Sequence, residues 1–222
     1  MTITATNWSK ATDAWGHVEA GLKIIDSLMG FVKSGQGKPS AKERALFAAS
    51  VVFTYGIWEN YVEQLALELS GKIAPIIKPE VVPSKIKKHL EGKTPWELAV
   101  SPGWRVLWIE VVKAKALGDE KEKFGMNTAR AGQVGFLMEL AGVEDPFRAV
   151  ADSISPAHLD EKEKTVKGSV DALVTLRGEI VHTGNVPASL SKSHVTAWRD
   201  FVKELTKAMD KSCRSQCSKL LT

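Results

Sequence analysis

Arg177, Glu179 and His182 stand close together in the stretch from Leu173 to Asn185. They interrupt an apolar helical pattern, and polar groups at a core-facing helix end need partners, because burying them unpaired is costly. Arginine is a fixed cation with planar donors that grip oxyanions; histidine gives or takes a proton near neutral pH. That pair suits a phosphodiester: the guanidinium holds non-bridging oxygens while the imidazole moves a proton on or off a ribose hydroxyl. No metal is needed where the attacking group is the RNA's own 2′-hydroxyl. On a continuous helix, positions five apart diverge by about 140°. The turn signal Thr183-Gly184-Asn185 predicts that the helix ends near Val181, which lets His182 swing back beside Arg177. The structural alternative is a helix cap, in which Arg177 pairs with Glu179 or another carboxylate and His182 bonds a terminal carbonyl.

The elements that position this stretch read as helices throughout. A first helix runs from Ser9 or Thr12 to about Ser34, with Trp15, Val18, Leu22, Ile25, Leu28 and Val32 on one stripe. A second, from about Ala41 to Leu69, carries two apolar stripes: Ala48, Val51, Val52, Tyr55, Trp58, Val62, Leu65 and Leu69, then Leu46, Ala49, Phe53 and Ile57. A helix apolar on two sides is central to a bundle or lies in an oligomer interface. Glu59 sits inside that run, either on a solvated edge or orienting a group in a site.

Residues 70–125 are a proline-rich and charged elaboration, with short helices over Lys85 to Glu91 and after Thr94-Pro95, a helix from Arg105 to Leu117, and a charged run from Asp119 to Lys123. Thr128 is placed to cap a helix through about Ala141, closed by Gly142. Asp145-Pro146 starts a short helix to about Asp152. Ser155-Pro156 starts the long one that ends at the arginine–histidine stretch, with Val166, Val170, Leu173, Val174 and Ile180 inward. A last helix runs from about Ser191 to the tail. No alternating strand pattern, hairpin signal or repeat competes. The expectation is an all-α, up-and-down bundle of four principal helices with inserted short helices, forming one domain over residues 1–222.

Composition agrees with a globular chain: 222 residues, 44% hydrophobic, with a mild net charge of +4 that permits a polyanionic partner without demanding one. The two cysteines, Cys213 and Cys217, make no disulfide framework. Together with the lack of a readable signal segment, this predicts a reducing cytoplasm. No apolar run is long enough for a membrane span. Most of the seven tryptophans fall at stripe positions and read as core anchors.

Phosphate-cradling glycine motifs, metal-ligand histidine spacings and the nucleophile elbow are all missing, so no cofactor or metal is expected. Lys203, Lys207 and Lys211 recur every four residues on the last helix. They form either a solvated face or, with Lys85, Lys87 and Lys88, a track for phosphates.

Arg177-Gly178-Glu179-Ile180-Val181-His182-Thr183-Gly184 resembles the R-x4-6-H signature of the HEPN superfamily, which ends a bundle helix. Trp58-Glu59-Asn60-Tyr61-Val62-Glu63-Gln64-Leu65 is similar to a run in the second helix of RiboL-PSP-type HEPN proteins. Phe124 to Thr128, leading to Leu140 to Val143, resembles their middle segment. The likeness spans loosely residues 41 to 205. It implies an all-α homodimer with two signatures facing one composite cleft. It also implies metal-independent endoribonuclease activity, often in toxins or defence systems with a partner such as an antitoxin. By position, Arg177 would stabilise phosphate and His182 would be the acid/base group, with Glu179 and Glu59 supporting. In active members the residue after the arginine is usually Asn, Asp or His; here it is Gly178. Two other readings stand beside this one: a non-catalytic HEPN-like dimer binding RNA, a nucleotide or a protein, and a helical interaction protein with no ligand.

Overall fold

The computed structural model describes residues 8–33, 38–89, 94–100, 103–120 and 125–221. Among them the chain is all-α. The helices are α1 (Asp13–Gly30), α2 (Ala41–Ile73), α3 (Ser84–His89), α4 (Pro95–Val100), α5 (Trp104–Leu117), α6 (Ala131–Leu140), α7 (Val166–Thr183) and α8 (Lys192–Lys219). Three 3₁₀ turns lie between them, at Pro79–Val81, Arg148–Ser153 and Pro156–His158. No helix of the described residues is long and apolar enough to cross a membrane.

The 33-residue α2 organises the rest. Ser40 starts it with a reciprocal capping box: the Glu43 N–H donates to the Ser40 hydroxyl and the Ser40 N–H to the Glu43 carboxylate. Its first stripe is the core: Ala48, Val51, Tyr55, Trp58, Val62, Leu65 and Leu69 are buried and Val52 is partly so, with Tyr61 buried beside them. The second stripe divides: Ile57 is buried against α1, while Ala49 and Phe53 are exposed. Thus α1, α5, α7 and α8 all pack on α2, and α1 also packs on α8. The arrangement is a hub with α2 at its centre and the other helices around it.

Polar groups join these helices at chosen points. The Tyr61 hydroxyl donates to the Thr206 carbonyl (2.9 Å), tying α2 to α8. Buried Asp210 accepts from the Thr12 backbone N–H (3.1 Å) and from Arg214 Nε (2.9 Å), fixing the start of α1 to α8. Trp58 and Trp108 are buried as anchors, and each indole N–H donates to a carbonyl, of Ala129 and Leu140 respectively. Trp96 departs from the anchor reading; it is 76% exposed.

Several boundaries differ from expectation. Thr128 does not cap α6; its hydroxyl donates to Gln133 Oε1 (2.7 Å). The first N–H of α6, on Ala131, is instead received by Asp171 of α7 (2.9 Å). Asn127 takes a left-handed φ of 55°, which keeps the helix from starting earlier. Asp145-Pro146 leads to a 3₁₀ turn at Arg148–Ser153. Ser155-Pro156 likewise starts only a 3₁₀ turn, because Leu159 is extended at ψ 153°, and Lys164 turns the chain again at φ 48°. The long helix therefore begins at Val166, where the Thr165 hydroxyl accepts from the Gly168 N–H. The charged run's Lys121 to Lys123, the end of the basic helix at Glu91, and Ser34 lie outside the described residues.

Candidate active site

Helix α7 carries the arginine and the histidine, and its end is set by two local bonds. Gly184 adopts φ 66°, which a side chain would disfavour, and its N–H reaches the Ile180 carbonyl (3.2 Å). The Thr183 hydroxyl donates to the Glu179 carbonyl (2.5 Å) and accepts from the Asn185 N–H (3.0 Å). The helix thus continues through Thr183, two residues beyond the expected end, and His182 stays helical. It does not swing back beside Arg177; the two side chains leave α7 about 140° apart.

Arg177 is half-buried. Its guanidinium lies over the Tyr55 ring, with Cζ 5.0 Å from the ring centroid. Its Nε is buried and has no hydrogen-bond partner. Among the described residues no carboxylate pairs with it, so the capped ion pair weighed from the sequence does not form. Stacking on an aromatic face holds a guanidinium flat while leaving its donors unspent.

Tyr55 is itself held at both sides of its hydroxyl. It donates to Glu59 Oε1 (2.5 Å) and accepts from the Ala129 N–H (3.1 Å). Burial, then the bond to Glu59, pushes the phenol well above its ordinary value, so it stays a neutral donor. Glu59 therefore reaches the arginine through Tyr55, one turn back on α2. The next turn brings Glu63, whose carboxyl is raised to about 7 by burial and by the nearby charge of Glu59. The segment before α6 is clipped across this cluster. Ala129 gives its N–H to Tyr55 and its carbonyl to Trp58, while Arg130 reaches Thr175 on α7 (3.3 Å).

His182 is exposed. Its ring leans back over Gly178, since a Cβ built on Gly178 would lie 4.0 Å from His182 Cδ2. Glu179 is exposed and leaves the helix about 200° from Arg177, so the two are not brought together. Lys203, Lys207 and Lys211 are exposed along α8. Lys207 and Lys211 line a groove with Ala149 and Ser153, and no contact among the described residues joins any of the three to Arg177. Among the described residues no cluster of His, Cys, Asp or Glu is arranged to hold a metal ion.

In the sequence Tyr55 stands as one more apolar stripe residue. The signal was its hydroxyl, four positions before Glu59 and so on the same helix face. The arrangement places a cation on an aromatic seat and, about one and a half turns along α7 on another side, an imidazole open to solvent. Compared with known proteins, the chain matches no family model, no curated protein and no solved structure.

Proposed function

We propose that the chain is a metal-independent endoribonuclease of the HEPN type, acting as a homodimer in the cytoplasm as a toxin or defence effector. The observation that carries this reading is Arg177: half-buried, seated on Tyr55, and without a carboxylate partner among the described residues. A cation kept in that state is suited to an anionic ligand. Its divergence from His182 on one continuous helix supports a cleft shared by two chains, where Arg177 of one copy faces His182 of the other.

In the proposed reaction the RNA 2′-hydroxyl attacks the adjacent phosphorus. An imidazole takes the hydroxyl proton, the P–O bond to the 5′ oxygen breaks, and that oxygen receives a proton. The products are a 2′,3′-cyclic phosphate and a 5′-hydroxyl. Arg177 stabilises the charge on the non-bridging oxygens. The target must present an unpaired, splayed nucleotide.

Gly178 favours a second reading, a non-catalytic dimer that holds RNA or a partner, because no polar side chain stands beside Arg177 there. One experiment separates the two. Purified protein is incubated with RNA in EDTA beside Arg177→Ala and His182→Ala. Cleavage reduced roughly 10²–10³-fold in the arginine variant and 10²–10⁴-fold in the histidine variant supports the nuclease. Equal cleavage by all three proteins defeats it. RNA binding that depends on Arg177 without any cleavage supports the second reading.

A further inference from the structure

The other flank of α7 holds a cleft that the proposed reaction does not use. Leu176 on α7, Leu159 after the Pro156–His158 turn, and Leu190 before α8 form its apolar walls, and its volume is about 470 Å³. That is within the range of small-molecule sites, roughly 300–1,000 Å³. Trp198 supplies an aromatic surface, fixed by edge-on packing against Phe201 at 5.9 Å. Two imidazoles complete the lining, those of His158 and His194.

Each imidazole is oriented from behind through its Nδ1. His158 Nδ1 lies 2.9 Å from Glu204 Oε2, off the line of a straight hydrogen bond. His194 Nδ1 is 2.7 Å from the Ser191 hydroxyl. Both rings therefore keep Nε2 without a protein partner among the described residues, and Trp198 keeps its indole N–H. The rim is net negative, with Asp160 and Glu161 against Lys162, so a phosphate is disfavoured there. A flat heteroaromatic with donors and acceptors on its edge matches such a lining.

We infer that this cleft binds a nucleobase, stacked on Trp198 and hydrogen-bonded at its edge by His158 and His194. The ribonuclease reading suggests that the base belongs to an RNA strand whose backbone passes α7, and the inference rests on that reading for the source of the base alone. Unpaired bases stacked on aromatic side chains are the ordinary currency of single-strand recognition.

The test uses the full chain with AMP, with UMP and with a short single-stranded 2′-O-methyl oligonucleotide, which cannot be cleaved by 2′-hydroxyl attack. Tryptophan fluorescence and calorimetry report binding. Ala197 also lines the cleft but is exposed, so Ala197→Phe fills the space without disturbing the core. Binding is expected to quench tryptophan emission, to weaken at least about tenfold in Ala197→Phe and about three- to tenfold in His194→Ala, and to persist in Arg177→Ala. Quenching by the oligonucleotide alone assigns the base to an RNA strand, and equal quenching by AMP or UMP assigns it to a free nucleotide. Absence of quenching, equal affinity in the filled variant, or uptake of Zn²⁺ alone with no nucleotide binding overturns the inference. Cleavage that survives while Ala197→Phe binds normally defeats the cleft and spares the nuclease; base binding without cleavage does the reverse.

Discussion

Tyr55 and Arg177 face each other across α2 and α7, ring against guanidinium, at 5.0 Å. The tyrosine hydroxyl is fixed between a carboxylate and a loop N–H, so the arginine rests on a surface that cannot rotate freely. A semi-buried cation–π contact contributes about 0.5–2 kcal/mol. The two roles of Tyr55 separate by substitution. Tyr55→Phe keeps the face and strands the Ala129 N–H; stability should fall by about 1–3 kcal/mol in urea unfolding, with cleavage within about threefold of wild type. Tyr55→Leu removes the face as well, and cleavage should fall by about a further tenfold. Equal cleavage by the two variants would show that the ring does not position Arg177.

Gly178 lies mid-helix in α7, and a Cβ there meets nothing nearer than His182 Cδ2 at 4.0 Å. Alanine fits, and it removes the backbone-entropy penalty of a helical glycine. Gly178→Ala should stabilise the chain by about 0.5–1 kcal/mol, read as a rise in melting temperature. Gly178→Asn places a polar group beside Arg177 and should raise cleavage over Gly178→Ala. A fall in cleavage with asparagine would count against a polar requirement at this position.

Glu63 makes stability depend on pH in a definite direction. Its carboxyl is held near 7 in the folded chain against an ordinary 4.5, by burial and then by Glu59. Between those values the folded state binds more proton than the unfolded state, so stability falls as pH rises. The contribution is complete below about 4.5 and lost above about 7. Glu63→Gln cannot lose it and should be more stable than wild type at pH 8 relative to pH 4.5. Because Glu63 is only half-buried, the gain should be about 1 kcal/mol. Urea midpoints at the two pH values measure it, and an unchanged difference between the proteins refutes the assignment.

Gly125 turns the chain at φ 57°, and a Cβ there would lie 2.6 Å from the Ala116 carbonyl oxygen. Both the dihedral and the backbone contact demand glycine. Gly125→Ala should cost more than about 2 kcal/mol and should loosen the Ala129 clip beside Tyr55, lowering cleavage together with stability. An unstable variant with normal cleavage would uncouple the turn from the site.

Helix type and stripe were legible because periodicity reports burial directly: Val51, Trp58, Leu65 and Leu69 are core, as the pattern required. Helix ends were less legible where the cap came from elsewhere in the chain. Asp171 caps α6 across a separation of 40 residues, and no local pattern encodes that. The extent of α7 is not legible locally, because Thr183 beside Gly184 resembles a breaker, although its hydroxyl back-bonds to the Glu179 carbonyl and extends the helix. Arg177 and His182 stood out because their types break an apolar pattern. Tyr55 did not, since an aromatic residue in a core stripe breaks nothing. Its partnership with Arg177 exists only once α2 and α7 pack.

The buried N–H of Ala129, given to a tyrosine hydroxyl, has a bearing on how this region could be watched in solution. Most loop amides trade their hydrogens with water quickly; this one can do so only when the strap across α2 lifts. Its deuterium uptake would therefore time the opening of the floor beneath Arg177, residue by residue and without any substrate present. A ligand that settles on that arginine should slow the clock.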